Sequence, residues 1–437
     1  MALSTAPREL GTRLSRTPRP TNQRAGSSAE GLTLVELMVT MVVASLVAAS
    51  TFVFFAGQRR IYDTQMKVLN IQQNLWAAME AVSRNVRVNG MGMNRCVRPD
   101  TDGAGALVGD PPPVGATRPL TGLRAFRQNI NRVIRLPPLW IQNGAAGAPD
   151  ALEVAYGSRT FGNDIDSDLA ATVDDATDRA DVPVGFIETF RGPTAAGAVD
   201  GEFFVLLDRA AFFAPARMGA GSEGDAGCTL FQITGLAGGL VHAPEPAPGS
   251  SWNPAGNPNN APEGALVPFA YTATDMTNAS RQFGIRNLGN LVWLRFFIDD
   301  GGGPPAVPRL MIQNLANPAI PAQILAEGIE DMQIAYGCDT APAAVAPALP
   351  GDGVITEGSP PSTTDEWWLN VAGDVPTPAC NRPQAVRITL IARSPAPDTS
   401  IANPAANIKP AVEDGAAGAP DLFRHRVITT TVFPRNQ

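Results

Sequence analysis

Between Leu37 and Gly57 the chain reads LMVTMVVASLVAASTFVFFAG, 21 residues without a charged side chain. That is the length a helix needs to cross a bilayer. The run lies inside a longer anomaly. The chain holds 40 prolines, yet none occurs from Leu32 through Arg98. Proline breaks helix interiors by removing an N–H donor and clashing with the preceding turn. A proline-free stretch of this length in a proline-rich chain predicts one uninterrupted helix.

Residues 1–31 are polar and carry Arg8, Arg13, Arg16, Arg19 and Arg24 against Glu9 and Glu30. Arg59 and Arg60 close the apolar run on its other side. The arginine-rich leader predicts a cytoplasmic N-terminus and an extracytoplasmic remainder. A secretory signal cut near Val47-Ala48-Ala49 is the plainer alternative. Against it stand the long polar leader and the length of the apolar run. Glu36 also sits at the edge of the apolar segment, where a carboxylate is costly and marks a functional site by default.

The string Gly31-Leu32-Thr33-Leu34-Val35-Glu36-Leu37 resembles the class III signal of type IV prepilins. The resemblance implies cleavage after Gly31 by a prepilin peptidase and N-methylation of Leu32 as the mature N-terminus. It also implies that Glu36 pairs with a neighbouring subunit's N-terminal amine during assembly. Two positions depart from the pattern: Leu32 stands where Phe is usual, and Glu30 where a basic residue often precedes the glycine. A buried charge that would be ruinous alone is tolerable when paired.

Beyond the apolar run, Val68, Leu75, Met79, Val82 and Val86 recur at helical spacing, with Ile71 and Trp76 widening the stripe. Such a stripe is a face that docks on other elements. The pattern stops at Asn89-Gly90-Met91-Gly92. The expected helix therefore runs from Leu32 to about Asn89. Its first half, 32–57, is a membrane or filament-core segment, and 58–90 is amphipathic.

From about residue 91 to 437 the signal changes to short β runs separated by Gly-, Pro- and Ala-rich loops. Expected strands are 152–156, 203–207, 229–233, 291–298, 309–313, 332–336, 385–393 and 426–433. In the seventh, Val386, Ile388, Leu390 and Ala392 alternate inward, with Arg387, Thr389 and Arg393 outward. Asp299-Asp300-Gly301-Gly302-Gly303 reads as a hairpin turn. The expected fold class is α+β, an antiparallel sheet laid across the second half of a long helix.

Three late segments resemble minor pilins of the PilW type. They are Glu327–Gly337 (EGIEDMQIAYG), Ala385–Ser394 (AVRITLIARS) and Arg426–Val432 (RVITTTV). The resemblance covers about 1–96 and 325–437. The middle, about 97–320, is not recognised and reads as a possible insertion. A type IV pilin-like head on a long helix is the fold implied. The implied partners are other minor pilins, the major pilin, a tip adhesin and the inner membrane, with later residence on the pilus and cell surface. A type II secretion pseudopilin, and a membrane-anchored adhesin or enzyme carried by the middle segment, are the alternatives.

The four cysteines, Cys96, Cys228, Cys338 and Cys380, all follow the apolar run. An oxidising compartment permits disulfides, and four cysteines allow three connectivities. Cys338 and Cys380 bracket one long loop, which favours pairing them and leaves Cys96 with Cys228. Four free thiols are the other reading. The absence of any C-x-x-C gives zinc and thiol-redox chemistry no support.

An acidic run places Asp164, Asp166, Asp168 and Asp175 at positions 1, 3, 5 and 12 of a calcium loop. Leu169 stands where the loop needs glycine, so a solvated acidic loop competes with calcium as the explanation. Gly219–Gly224 fits G-x-G-x-x-G formally but lacks a βαβ setting. No G-x-S-x-G, H-E-x-x-H or P-loop lysine occurs. The only histidines, His242 and His425, read as a loop residue and a strand residue. Trp367-Trp368 reads either as a sticky patch or as core. These features point away from an enzyme, and the net charge of −8 points away from a nucleic-acid scaffold. No cofactor beyond the calcium candidate is expected.

N-terminal mass analysis of the processed protein checks this reading. A chain beginning at Leu32 is expected, and one beginning at Ser50 would identify an ordinary secretory signal instead.

Overall fold

The computed structural model describes residues 33–93, 98–99, 120–121, 123–127, 132–136, 139–159, 164–165, 173–174, 179–180, 187–194, 200–208, 228–241, 253, 283–302, 307–317, 320–337, 354–355, 366–368, 384–398, 401 and 403–434. The chain divides into two units, Met1–Asp63 and Thr64–Gln437. One helix, α1, spans Leu34–Val88 and contributes to both. Its apolar part is long and apolar enough to cross a membrane, and none of that part is buried.

The helix ends where its sequence stops supporting it. Gly90 takes a positive φ of 67°, which a side chain would disfavour. Its N–H leaves the helix to bond the Ala155 carbonyl at 2.9 Å. Gly92, also at positive φ, lies so near Leu288 that a Cβ there would come within 2.6 Å of Cδ1. The exit from the helix therefore depends on glycine twice.

The second unit is α+β, with mainly antiparallel sheets. Its longer strands, with the Trp-Trp pair, are β1 (Leu123–Arg127), β2 (Arg132–Leu136), β3 (Leu139–Gln142), β4 (Ala151–Gly157), β5 (Phe203–Asp208), β6 (Cys228–Gln232), β7 (Phe283–Gly289), β8 (Leu291–Asp299), β9 (Arg309–Asn314), β10 (Gln323–Glu327), β11 (Ile329–Gly337), β12 (Trp367–Trp368), β13 (Ala385–Arg393) and β14 (His425–Val432). All eight expected strands are present, with bounds shifted by a few residues. Three sheets organise them, in the orders β10-β9-β8-β4-β3, β12-β11-β13-β14, and β2-β1-β6-β5-β7 ending on Asp164–Ile165. The single sheet expected from the sequence is thus several, and β1 runs parallel to β6. Asp299 and Arg309 face each other across β8 and β9, so the Asp-Asp-Gly-Gly-Gly run does lie in a hairpin connection.

The largest core joins the helix to the first two of these sheets. Ile71, Leu75, Ala78, Met79, Val82 and Val86 meet Leu139, Ile141, Leu152, Val154 and Phe296 on one side. On the other they meet Ile329, Met332, Ile334, Tyr336, Val386, Ile388, Leu390 and Ala392. The inward alternation expected for β13 is the alternation observed. Polar links tie the same face: Asn74 Nδ2 donates to the Glu327 carbonyl at 3.1 Å, and Tyr156 OH to Asn85 Oδ1 at 2.8 Å.

Two expectations fail here. Trp76 does not widen the buried stripe and is 66% exposed. It follows Leu75 by one residue, which turns it about 100° around the helix at 3.6 residues per turn. The outward side of β13 is also not exposed. Thr389 and Ile391 are buried, because the segment from Ser394 to Arg424 lies over that side and returns to it through hydrogen bonds. Arg387 forks onto Glu413 of this segment at 2.8 and 2.7 Å and lies 4.4 Å from the Trp367 ring centre. Thr389 Oγ1 bonds both Glu413 and Thr429.

Substitution of neighbouring residues separates the two helix faces. Leu75→Ala is expected to destabilise the protein by about 2–5 kcal/mol through a cavity under both sheets. Trp76→Ala should shift stability by less than about 0.5 kcal/mol. Denaturant unfolding of both variants checks the pair.

Candidate assembly site

The start of α1 is built from three residues. The Thr33 N–H and Oγ1–H both donate to Glu36 Oε2, at 2.9 and 3.0 Å. The Glu36 N–H in turn donates to Thr33 Oγ1 at 3.3 Å. Leu37 N–H reaches the Thr33 carbonyl at 3.1 Å and opens the helical ladder. This is a reciprocal capping box, in which a Thr-x-x-Glu sequence satisfies donors that a helix start leaves orphaned. Thr33 and Glu36 are both exposed. A carboxylate at this end also meets the positive pole of the helix dipole. Among the described residues Oε2 carries both Thr33 bonds. The sequence singles out Glu36 but not Thr33 as its hydrogen-bond partner, although the Thr-x-x-Glu spacing is the signal for it.

The residues that follow make the segment compatible with an apolar medium. Its four hydroxyls are all turned back on the helix. Thr40 bonds the Leu37 carbonyl at 2.9 Å, Ser45 that of Val42 at 2.8 Å, and Ser50 and Thr51 both that of Val47 at 2.8 Å. Such back-bonds replace the water that hydrocarbon cannot supply.

Other sequence candidates fare unevenly. Gly31 and Leu32 lie outside the described residues, as do Asp166, Asp168, Asp175, Cys96, Cys338 and Cys380. Asp164 and Cys228 are placed by their backbone only. Among the described residues no group of three His, Cys, Asp or Glu side chains could hold a metal. Trp367 is buried against Ala335 and Ala385, and Trp368 packs on the main core. The pair is core rather than a sticky patch.

His425 lies on its expected strand, but its side chain is only 6% exposed. Its Nδ1 is 2.5 Å from Glu330 Oε1, and its Nε2 is 3.1 Å from Asp421 Oδ1. Burial is the largest single influence and pulls the imidazole pKa down. The bonds and charges of the two carboxylates together outweigh it and hold the pKa above the ordinary histidine value. Asp150, by contrast, is held well above the usual carboxylate range, chiefly by burial, although the Gly144 and Ile334 N–H groups donate to it.

With this geometry in view, residues 295–436 match the family model PilW, described as type IV pilus-assembly protein W. This C-terminal third of the chain is therefore similar to type IV pilus-assembly protein W. The matched span starts within β8 and includes β9 to β14, and with them all three late segments. The Thr33–Glu36 box lies outside it. No curated protein and no solved structure gives a significant match to the chain.

The raised His425 pKa fixes the sign of a pH effect. A group that binds its proton more tightly when folded stabilises fully below its unfolded pKa, about 6.5 for histidine. That contribution is lost as the pH rises through the folded value. Thermal midpoints of wild type and His425→Gln should therefore differ most at about pH 5.5 and converge toward alkaline pH. A gap that widens with pH would contradict the carboxylate clamp.

Proposed function

We propose that the chain is a minor pilin that primes type IV pilus assembly and resides at or near the pilus tip. In this reading a prepilin peptidase removes residues 1–31 after Gly31, and Leu32 becomes the methylated N-terminus. The apolar half of α1 holds the protein in the inner membrane until it enters the filament. The extracytoplasmic head then contacts other minor pilins, the major pilin and a tip adhesin. Its role is structural rather than catalytic.

One observation carries the reading: a carboxylate stands at the open end of an apolar helix in a chain with a PilW-like C-terminal third. In the uncleaved chain Glu36 is occupied with Thr33. A neighbouring subunit's N-terminal amine would offer Glu36 the positive partner that an apolar filament core demands.

Glu36→Ala tests this role directly. Processing to Leu32 should be unchanged, while the protein should disappear from sheared pilus fractions and remain in the inner membrane. Incorporation at the wild-type level would refute the pairing role.

A further inference from the structure

All but two of the chain's 33 basic residues are arginine, and the exceptions are Lys67 and Lys409. Arginine or histidine supplies the cation in the other described ion pairs of the head, those with Glu153, Glu202, Glu413, Asp398, Glu330 and Asp421. Arginine is the better residue for a buried pair, because its planar fork binds a carboxylate through two bonds. The head's one lysine nevertheless faces a fully buried carboxylate. Lys409 Nζ lies 2.5 Å from Asp331 Oδ2, with the two side chains 17% and 1% exposed. Lysine can do one thing that arginine cannot, which is to act as an amine nucleophile when desolvated.

The surroundings suit that chemistry. Gln333 Nε2 donates to the other carboxylate oxygen, Asp331 Oδ1, at 2.8 Å, and is itself anchored on the Ala148 carbonyl at 3.1 Å. It is therefore a fixed donor on the oxygen where negative charge would develop during attack at Cγ. The segment bearing Lys409 is pressed onto the pair by two glycines. A Cβ on Gly418 would lie 2.8 Å from Lys409 Cβ, and one on Gly415 within 2.9 Å of the Gln333 side chain. Gly418 N–H also bonds the Lys409 carbonyl at 3.0 Å.

We propose that Lys409 and Asp331 join in an intramolecular amide bond, formed by the folded head itself with release of one water. The ammonium passes a proton across the contact to Oδ2, giving an amine and a carboxylic acid. The amine attacks Cγ, and the N–Cγ bond forms. The nitrogen's second departing proton joins the Oδ2 hydroxyl as the Cγ–Oδ2 bond breaks, and water leaves. No oxidant or cofactor is needed. Holding the two groups in contact supplies the advantage of an intramolecular reaction, worth an effective concentration of about 10⁵–10⁸ M in well-oriented cases. The product ties two residues 78 positions apart and fastens the covering segment to β11.

Digestion after glutamate tests the bond in the full chain. It places Asp331 on the peptide 331–357 and Lys409 on 367–413. Cys338 and Cys380 lie on the same two peptides, so the protein is denatured and reduced first. The two peptides are expected as one species, lighter by one water than their sum. Lys409→Arg, which keeps the charge, should abolish the linked species. Asp331→Asn should restore a product identical in mass to the wild-type one, with ammonia leaving in place of water. Two separate wild-type peptides at full mass would show an ion pair only and overturn the proposal. That result would leave the Glu36 experiment untouched.

Discussion

The head is organised by one apolar contact, the stripe of α1 from Ile71 to Val86 against the sheets that contain β4 and β11. Neither sheet can bury its inner face without that helix. Among the described residues, Leu75, Met79 and Val82 belong to this one core cluster. Burying a side chain of this size is worth about 1.5–3 kcal/mol, so the stripe outweighs any one of the polar links around it. Glycines at 90 and 92, both at positive φ, then let the chain leave the helix beside Ala155 and Leu288.

The sheet β12-β11-β13-β14 is covered on both sides by different means. Its inner face is apolar and packs on α1. Its outer face carries Asp331, Gln333, Arg387 and Thr389, matched by Lys409 and Glu413 from the covering segment. Buried polar groups cost free energy unless paired, so this side is held by a connected network. Glu413 sits at positive φ, and its two bonds from Arg387 hold it there.

What could be read from the sequence follows the range of each interaction. Leu75, Met79, Val82 and Val86 were legible because helix periodicity is local. The inner residues of β13 were legible because strand alternation is local too. Trp76 is apolar, but one residue beyond Leu75 it lies about 100° round the helix, so composition alone misplaces it. Thr389 and Ile391 could not be recognised as buried, since their cover comes from a loop with no periodic signal. His425 finds Glu330 from 95 residues away, and no short pattern announces such a partner. Leu139–Gln142 and Gln323–Glu327 escaped as strands because each is short and follows proline or alanine-rich sequence. At the candidate site Glu36 stands out by its cost beside an apolar run, whereas Thr33 is visible only through the capping geometry.

The inward-turned hydroxyls of Thr40, Ser45, Ser50 and Thr51 have a consequence for recognition. With each bonded to its own backbone, the segment from Leu37 to Gly57 presents neighbours with a surface that is chemically uniform around its circumference. A rod of that kind can rotate and slide among similar rods at little cost. In the proposed assembly, azimuth and axial position would then be set where polarity returns, at Glu36 before the segment and at Arg59 and Arg60 after it.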